Sequence, residues 1–474
     1  MSTKSKRIAL AGYHDPIFWP FAQRLKADGF DVYWINTEPI SSDWLRNHGV
    51  SNERICDVLE GEYPILTEKE CIDILSNYEQ PELPTINSII FMDQNLRHAA
   101  YGDSLNYLAV SALKISAFLY DRNIKLVSSG RDTALQLLSM LVCKKRSIFW
   151  GCVTRVKLPK EWFGFSPTHQ GSEFCKMRPM EQTDLEFASA WLDQFRSDPL
   201  VKPLAKPKFS GFRKIFNHLG LILPLAVRHL RHRMKTGPSR HIPGPGIVWL
   251  GKRYWYTLKN YIYYRYFLDF YRPVDEPFIL YGLHRQPESS IDVRGAFFDD
   301  QLQLIKQIVR SIPVTHKMYV KVHFSDVIGQ SPQFYRELKQ FPSVKLIDPD
   351  VDSRELIRKA AVIVTNVGAM GQEGGYWGRP VIAMSKMFWC DLPTVKYCGT
   401  PAELPLLIRR MIESPPADDR EGVIRAIAGY VANNVPCDPC QKFLGIEFSG
   451  KDLAILSGLY EHVYSLCTER TTAL

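Results

Sequence analysis

Residues Ala360 to Met384 read AAVIVTNVGAMGQEGGYWGRPVIAM, and the pattern is strand, turn, helix, strand. Ala361 to Thr365 and Pro380 to Met384 are short β-branched apolar runs, the composition of strands buried on both faces of a parallel sheet. Gly368 and Gly371 relieve the backbone of side chains where the chain turns, so a ligand can approach closely. The amides that open the following helix carry partial positive charge and suit a phosphate or a carboxylate. Glu373 is expected in the first turn of that helix, where it either caps its own helix or reaches the sugar hydroxyls of a nucleotide. The same glycine pattern also serves as a plain tight turn in many α/β proteins.

Working outward, further strands are predicted at Phe278 to Tyr281, Met318 to Val322 and Val344 to Ile347. Helices are predicted at Asp299 to Ser311, Pro332 to Gln340, Ser353 to Lys359 and Met370 to Trp377. Residues 7 to 151 repeat the alternation, with strands at Arg7 to Gly12, Asp31 to Ile35, Ile89 to Met92, Ile124 to Ser128 and Ser147 to Trp150. Helices are expected at Ile17 to Lys26, after an Asp103 N-cap, at Asp132 to Cys143 and, later, at Gln182 to Phe195. Such alternation implies parallel sheets with right-handed crossovers, whose ligands sit beyond the carboxyl ends of the strands. In the first unit that rule points to Tyr13, His14 and Asp15, and to Ser129, Gly130, Arg131 and Asp132. His14 beside Asp15 offers a general base for a hydroxyl proton. An ordinary loop in which Asp15 caps the next helix is the alternative.

With 474 residues, 45% of them hydrophobic, the chain is long enough for two domains with proper cores. Ile8 to Gly12 is too short for the apolar core of a secretory signal, and no segment reaches the roughly 20 uncharged apolar residues that span a bilayer, so a cytoplasmic protein is expected. Scattered cysteines fit reduced thiols, and the lone pair Cys437 and Cys440 in CDPC is a weak metal signal, so no metal is expected.

The formal charge of +9 is local in origin: Pro199 to Leu268 holds fourteen Lys or Arg and no Asp or Glu. Lys206, Lys208, Arg213 and Lys214 precede the apolar run Leu219 to Val227, and Arg228, Arg231, Arg233 and Lys235 follow it. A short apolar run flanked by cations suits an anionic membrane interface, although Pro224 would kink a helix there; a solvated basic linker is the plainer reading. No nucleic-acid motif accompanies the charge, so nucleic acid is not an expected partner. Tyr254 to Tyr271 is dense in aromatic rings, which suits a membrane interface, a carbohydrate-stacking surface or a packed helix.

Several motifs occur together in a familiar order: LHRQPESS (Leu283 to Ser290), FDDQLQLIKQI (Phe298 to Ile308), YVKVHF (Tyr319 to Phe324), VKLIDPDVDSRELIRKAAVIVTNVGAMGQEG (Val344 to Gly374) and GRPVIAMSKMFW (Gly378 to Trp389). They resemble the bacterial capsule and surface polysaccharide biosynthesis glycosyltransferases. That resemblance implies a GT-B architecture, two Rossmann-like domains facing a cleft. It covers roughly the C-terminal third well and the N-terminal unit in outline. The implied division is 1–198 for an acceptor-side domain, 199–275 for a basic, aromatic, membrane-associating segment, 276–415 for a nucleotide-sugar-binding domain and 416–474 for a helical tail.

The implied activity is transfer of a sugar from a nucleotide sugar, used as substrate with no cofactor, to a polysaccharide or lipid-linked glycan acceptor. It would take place in the cytoplasm on the inner face of the cell membrane. His323 stands where the family has a donor-contacting His-Pro pair, with Lys321 two residues before it. Gln286, Glu288 and Ser289 occupy a QPE-type loop, and Gly368, Gly371 and Glu373 the glycine turn and its acidic position. Phe324 replaces the family proline, Val322 the usual acidic residue, and Asn366 to Met370 departs from the usual Gly-Thr turn. A non-catalytic member of a polysaccharide assembly or export complex, or a nucleotide-sugar epimerase, are the alternative readings.

Overall fold

Apolar runs set between amphipathic helices build two sheets, one parallel with an antiparallel edge and one all parallel, whose central strands are buried. The computed structural model describes residues 5–12, 15–36, 39–156, 159, 162–197, 242–243, 252, 255–256, 259–260, 262–264, 266–286, 288–323, 330–437, 440–442 and 445–472. The described residues fall into two compact units. The first joins those within Met1–His169, Lys202–Gly246 and Asn434–Leu474, and the second joins those within Gln170–Val201 to those within Ile247–Asn433.

The first unit contains β1 (Lys6–Ala11), β2 (Phe30–Asn36), β3 (Ile55–Asp57), β4 (Leu126–Ser129), β5 (Phe149–Val156) and β6 (Trp162–Ser166). β5, β4, β1, β2 and β3 lie side by side and parallel. β6 turns back antiparallel on β5, and the short strand Val435–Pro436 pairs antiparallel with β6. This antiparallel edge was not among the expected strands. Helices α1 (Asp15–Ala27), α2 (Pro39–Asn47), α3 (Glu68–Ser76), α4 (Ile86–Met92), α5 (Tyr101–Asp121) and α6 (Ala134–Lys145) complete the crossovers.

Two local expectations are corrected here. Ile89 to Met92, read as a strand, is the end of α4, because Thr85 caps the helix by accepting from Ser88 N and Ile86, Ile89 and Ile90 form one buried helical face. A four-residue apolar run has no period that separates the two states. Asp103 is not the N-cap of α5 but lies in its first turn, two residues past Tyr101.

The second unit holds α7 (Gln182–Ser197), β7 (Phe278–Gly282), α8 (Gln301–Ser311), β8 (Lys317–Lys321), α9 (Pro332–Lys339), β9 (Val344–Ile347), α10 (Ser353–Lys359), β10 (Val362–Thr365), α11 (Ala369–Tyr376), β11 (Val381–Ala383), β12 (Val395–Tyr397), α12 (Leu404–Glu413) and α13 (Arg420–Ala432). All six strands are parallel, in the order β12-β11-β10-β7-β8-β9. Neighbours in the sheet that are distant in sequence, such as β7 and β10, mark where the connections change direction, the usual position of a ligand.

Two helices pack with the unit that their place in the sequence does not suggest. α7 packs on α13 in the second unit, where Arg196 holds Asp418 through both Nη atoms at 2.7 and 2.8 Å and donates Nε to Tyr376 O. α14 (Gly450–Thr472) returns to the first unit, where Tyr460 meets Phe21 and Phe165 edge-on and its hydroxyl lies 2.6 Å from Ser128 Oγ. Boundaries drawn at 198 and 416 therefore divide what packing unites: α7 belongs with the second sheet and α14 with the first.

Leu219 to Val227 and the cations quoted around it lie outside the described residues. In the aromatic stretch beyond, Tyr263, Tyr264 and Phe270 pack against the core of the second unit, whereas Trp255, Tyr256, Tyr266 and Phe267 are exposed. Among the described residues no helix is long and apolar enough to cross a membrane.

Candidate functional site

In the second unit the carboxyl ends of β7, β8 and β10 bring three loops together. His284 lies two residues beyond β7 and is 8% exposed, with no hydrogen-bond partner for Nε2. Its pKa is pushed down to about 4, first by burial and then by the nearby His323. A buried imidazole is ordinarily satisfied, so a nitrogen left open at a strand end points to a ligand.

His284 sits against the turn after β10. A Cβ placed on Gly368 would stand 3.0 Å from His284 Cε1 and 2.8 Å from Thr365 Oγ1. Gly368 is the N-cap of α11 and supplies no side-chain cap, and its own N–H donates to Thr365 Oγ1 at 3.1 Å. Its φ of −71° is an ordinary extended value, so glycine is required here for proximity and not for turn geometry.

The loop that carries His284 is braced from α8. Gln301 accepts from His284 N at 2.6 Å through Oε1, and its Nε2 donates to His284 O and to Gln286 Oε1. Gln286 in turn donates to Asp299 O at 2.9 Å and to Asp292 Oδ1 at 3.3 Å. Asn366 closes the other side, donating to Gly295 O and Phe298 O and accepting from Ser385 Oγ. Asn366 therefore links the turn after β10 to the loop before α8 and to the loop after β11.

The expected residues divide. His323, half-buried after β8, and Gly368 stand with His284, and Lys321 is buried at the end of β8. Gln286 is engaged within its own loop, so its side chain braces the site. Glu288 is exposed, its backbone N–H bound to Asp292 Oδ2, and Ser289 precedes the π-turn Ser290–Arg294.

Gly371 is corrected. It lies inside α11, and a Cβ there would come 2.7 Å from both Thr365 Cγ2 and Trp389 Cη2, so its missing side chain makes room for packing and not for a ligand. Glu373 is corrected in position: the first turn of α11 holds no acid, and Glu373 falls in the second turn. His14 lies outside the described residues, as does the side chain of Asp15, whose backbone opens α1.

His284 was missed as a site residue although it lies within the LHRQPESS motif; the signal was an imidazole at the carboxyl end of the first strand of that sheet. Among the described residues no group of three His, Cys, Asp or Glu side chains is arranged to hold a metal. Cys437 is buried, and the side chain of Cys440 lies outside the described residues.

Fold and site together define two α/β units on parallel sheets, the second with a polar site at its carboxyl edge. No protein-family model matches the chain, and no curated protein matches it. Among solved structures the chain is similar to KpsC, a beta Kdo 2,4 transferase of Thermosulfurimonas dismutans, at 12% identity over 64% of this chain and 87% of that one, with a TM-score of 0.35. It is similar to the UDP-GlcNAc 2-epimerase of Methanocaldococcus jannaschii at 13% identity over 89% and 98% of the two chains, with a TM-score of 0.26. A glycotransferase of kitacinnamycin shares 12% identity over 90% of this chain and 96% of its own, with a TM-score of 0.28.

Proposed function

We propose that this protein is a nucleotide-sugar-dependent glycosyltransferase acting on a capsule or other cell-surface polysaccharide or glycolipid acceptor, with the donor held by the second unit. The observation that carries this reading is the open Nε2 of buried His284, beside the uncapped start of α11 and close to His323. The α11 amides and the His284, His323 and Lys321 side chains would meet the phosphates of the donor. They would stabilise the charge that develops on the leaving phosphate as the glycosidic bond breaks. A base from the loop after β1, His14 or Asp15, would take the acceptor proton. The basic stretch from Pro199 to Leu268 would hold the enzyme near a lipid-linked acceptor on an anionic membrane.

Titration of UDP-, GDP- and CMP-sugars into the wild-type protein and the His284→Ala, His323→Ala and Glu373→Ala variants tests the donor site. Loss of a charge-assisted hydrogen bond costs about 1.5 to 3 kcal/mol, roughly ten- to a hundred-fold in affinity. His284→Ala and His323→Ala should weaken binding by that order with little change in the ligand-free Tm. Normal binding in both would place the donor elsewhere. Conversion of the donor sugar to an epimer without an acceptor would instead favour the epimerase, and no nucleotide response at all the non-catalytic partner.

A further inference from the structure

The first unit carries a second polar anomaly, at the carboxyl end of its central strand β4. Arg131, two residues past β4, is 4% exposed. Its Nη2 donates to Thr154 Oγ1 at 2.9 Å, while Nε and Nη1 have no hydrogen-bond partner. Among the described residues no ion pair includes Arg131. A buried guanidinium is costly unless an anion and further hydrogen bonds compensate it, because its five donors lose their water. Nε–H points away from Nη1, so the two unpaired nitrogens lie on different edges of the guanidinium, and each can donate singly to an oxygen of a carboxylate or a phosphate.

The surroundings fix the loop that carries Arg131. Gln136, itself buried, accepts from Asp132 N at 2.6 Å and Thr133 N at 3.1 Å and donates to Gly12 O at 2.8 Å. Gly130 lies so close that a Cβ there would meet Gln136 Nε2 at 2.5 Å. The first amides of α6 are already occupied, Ala134 N by Asp93 Oδ2 and Gln136 N by Thr133 Oγ1. The site is thus the guanidinium and not the helix end. Half-buried His169 stands within electrostatic reach, its pKa pushed down to about 4 first by burial and then by the Arg131 charge, so at neutral pH it adds a neutral polar edge.

We infer that Arg131 is the anchor of an oxyanion-binding site in the first unit, taking a carboxylate or phosphate carried by the acceptor. The link to the acceptor rests on the transferase reading; the anion site rests on the geometry alone. An acceptor of this kind is an acidic glycan or a phosphorylated lipid-linked one, held with its oxyanion on Arg131 beside the loop that follows β1.

The test uses the full chain and three probes, inorganic phosphate, D-glucuronate and neutral D-glucose, titrated calorimetrically. Each titration is done in the wild type and in His284→Ala, which weakens the donor site, and Arg131→Gln and Arg131→Lys are each made alone and in the His284→Ala background. In the His284→Ala background phosphate or glucuronate should still bind, with glucose inert, and which anion binds distinguishes the two sources. Arg131→Gln should lose at least tenfold in anion affinity and keep its UDP response. Arg131→Lys, which keeps the charge but not the planar guanidinium, should lose less. Anion binding to His284→Ala that survives the addition of Arg131→Gln, or that is absent from His284→Ala, overturns the assignment. A failed UDP response in the wild type would remove the donor reading and leave these anion titrations standing.

Discussion

His284 lies against Gly368, close enough that a single methyl group on the glycine would stand 3.0 Å from Cε1 of the ring. The backbone there is unstrained, so Gly368→Ala acts through contact alone: the ring and the Thr365 hydroxyl must give way. Nucleotide affinity should fall about tenfold, a change of roughly 1.4 kcal/mol, while the ligand-free Tm moves by no more than a few degrees. Calorimetric titration beside a melting curve checks both, and unaltered affinity would remove Gly368 and the position of His284 from the site.

Acid should loosen the fold in a defined window. His284 and His169 are both held near a pKa of about 4, whereas an unfolded histidine titrates near ~6.5. Between those values the unfolded chain binds more protons, so their contribution is complete above about pH 6.5 and is lost progressively as the pH falls toward 4. Melting curves from pH 7.5 to 4.5 should show a steeper acid decline for the wild type than for His284→Gln, which lacks one of the two groups. Superimposable profiles would contradict the buried, neutral imidazole.

Gln136 joins the loops after β1 and β4 through three hydrogen bonds. Gln136→Ala removes the capping box of α6 and strands buried backbone groups, at a cost of about 2 to 4 kcal/mol. Gln136→Glu keeps the acceptor for the two amides and sets a carboxylate oxygen against Gly12 O, so it should be intermediate. Urea unfolding of the two variants reads the order, and a Glu variant less stable than the Ala variant would show that the Gly12 contact dominates.

Gly378 ends α11 with φ +66° and has Asp418 where a side chain would begin. Gly378→Ala combines left-handed strain of about 1 to 2 kcal/mol with a collision that pushes Asp418 away from Arg196. The loss should fall on the α7 and α13 packing, and hydrogen exchange in Gln182–Ser197 should accelerate more than in β1. Uniform acceleration would mean that α7 is not secured by this clamp.

The basic segment should bind anionic vesicles, each cation near such a surface contributing about 1 kcal/mol. Co-sedimentation should be strong at low salt and fall as salt is added. Equal recovery with neutral vesicles would defeat the electrostatic claim.

Much of the second unit was legible because its signals are local. β9 and α10 were expected at their observed limits, and β7, β8, β10 and β11 within a residue or two, since buried parallel strands are continuous β-branched runs between helices. β12 was missed because VKY is three residues long with two of them exposed, and the antiparallel edge at β6 because WFGFS follows no helix.

By itself the sequence determined what depends on near neighbours: the alternation of strands and helices, the glycine turn and the local concentration of cations. Tertiary structure alone decided which glycines clear a ligand and which clear a side chain, since Gly368 faces His284 whereas Gly371 faces Thr365 and Trp389. It alone decided that α7 joins the second sheet and α14 the first, because the matching apolar faces lie hundreds of residues away along the chain. It decided, too, that His284 and Arg131 are buried with nitrogens unpaired. Burial and pairing are properties of the surroundings in space, and no residue type or spacing encodes them.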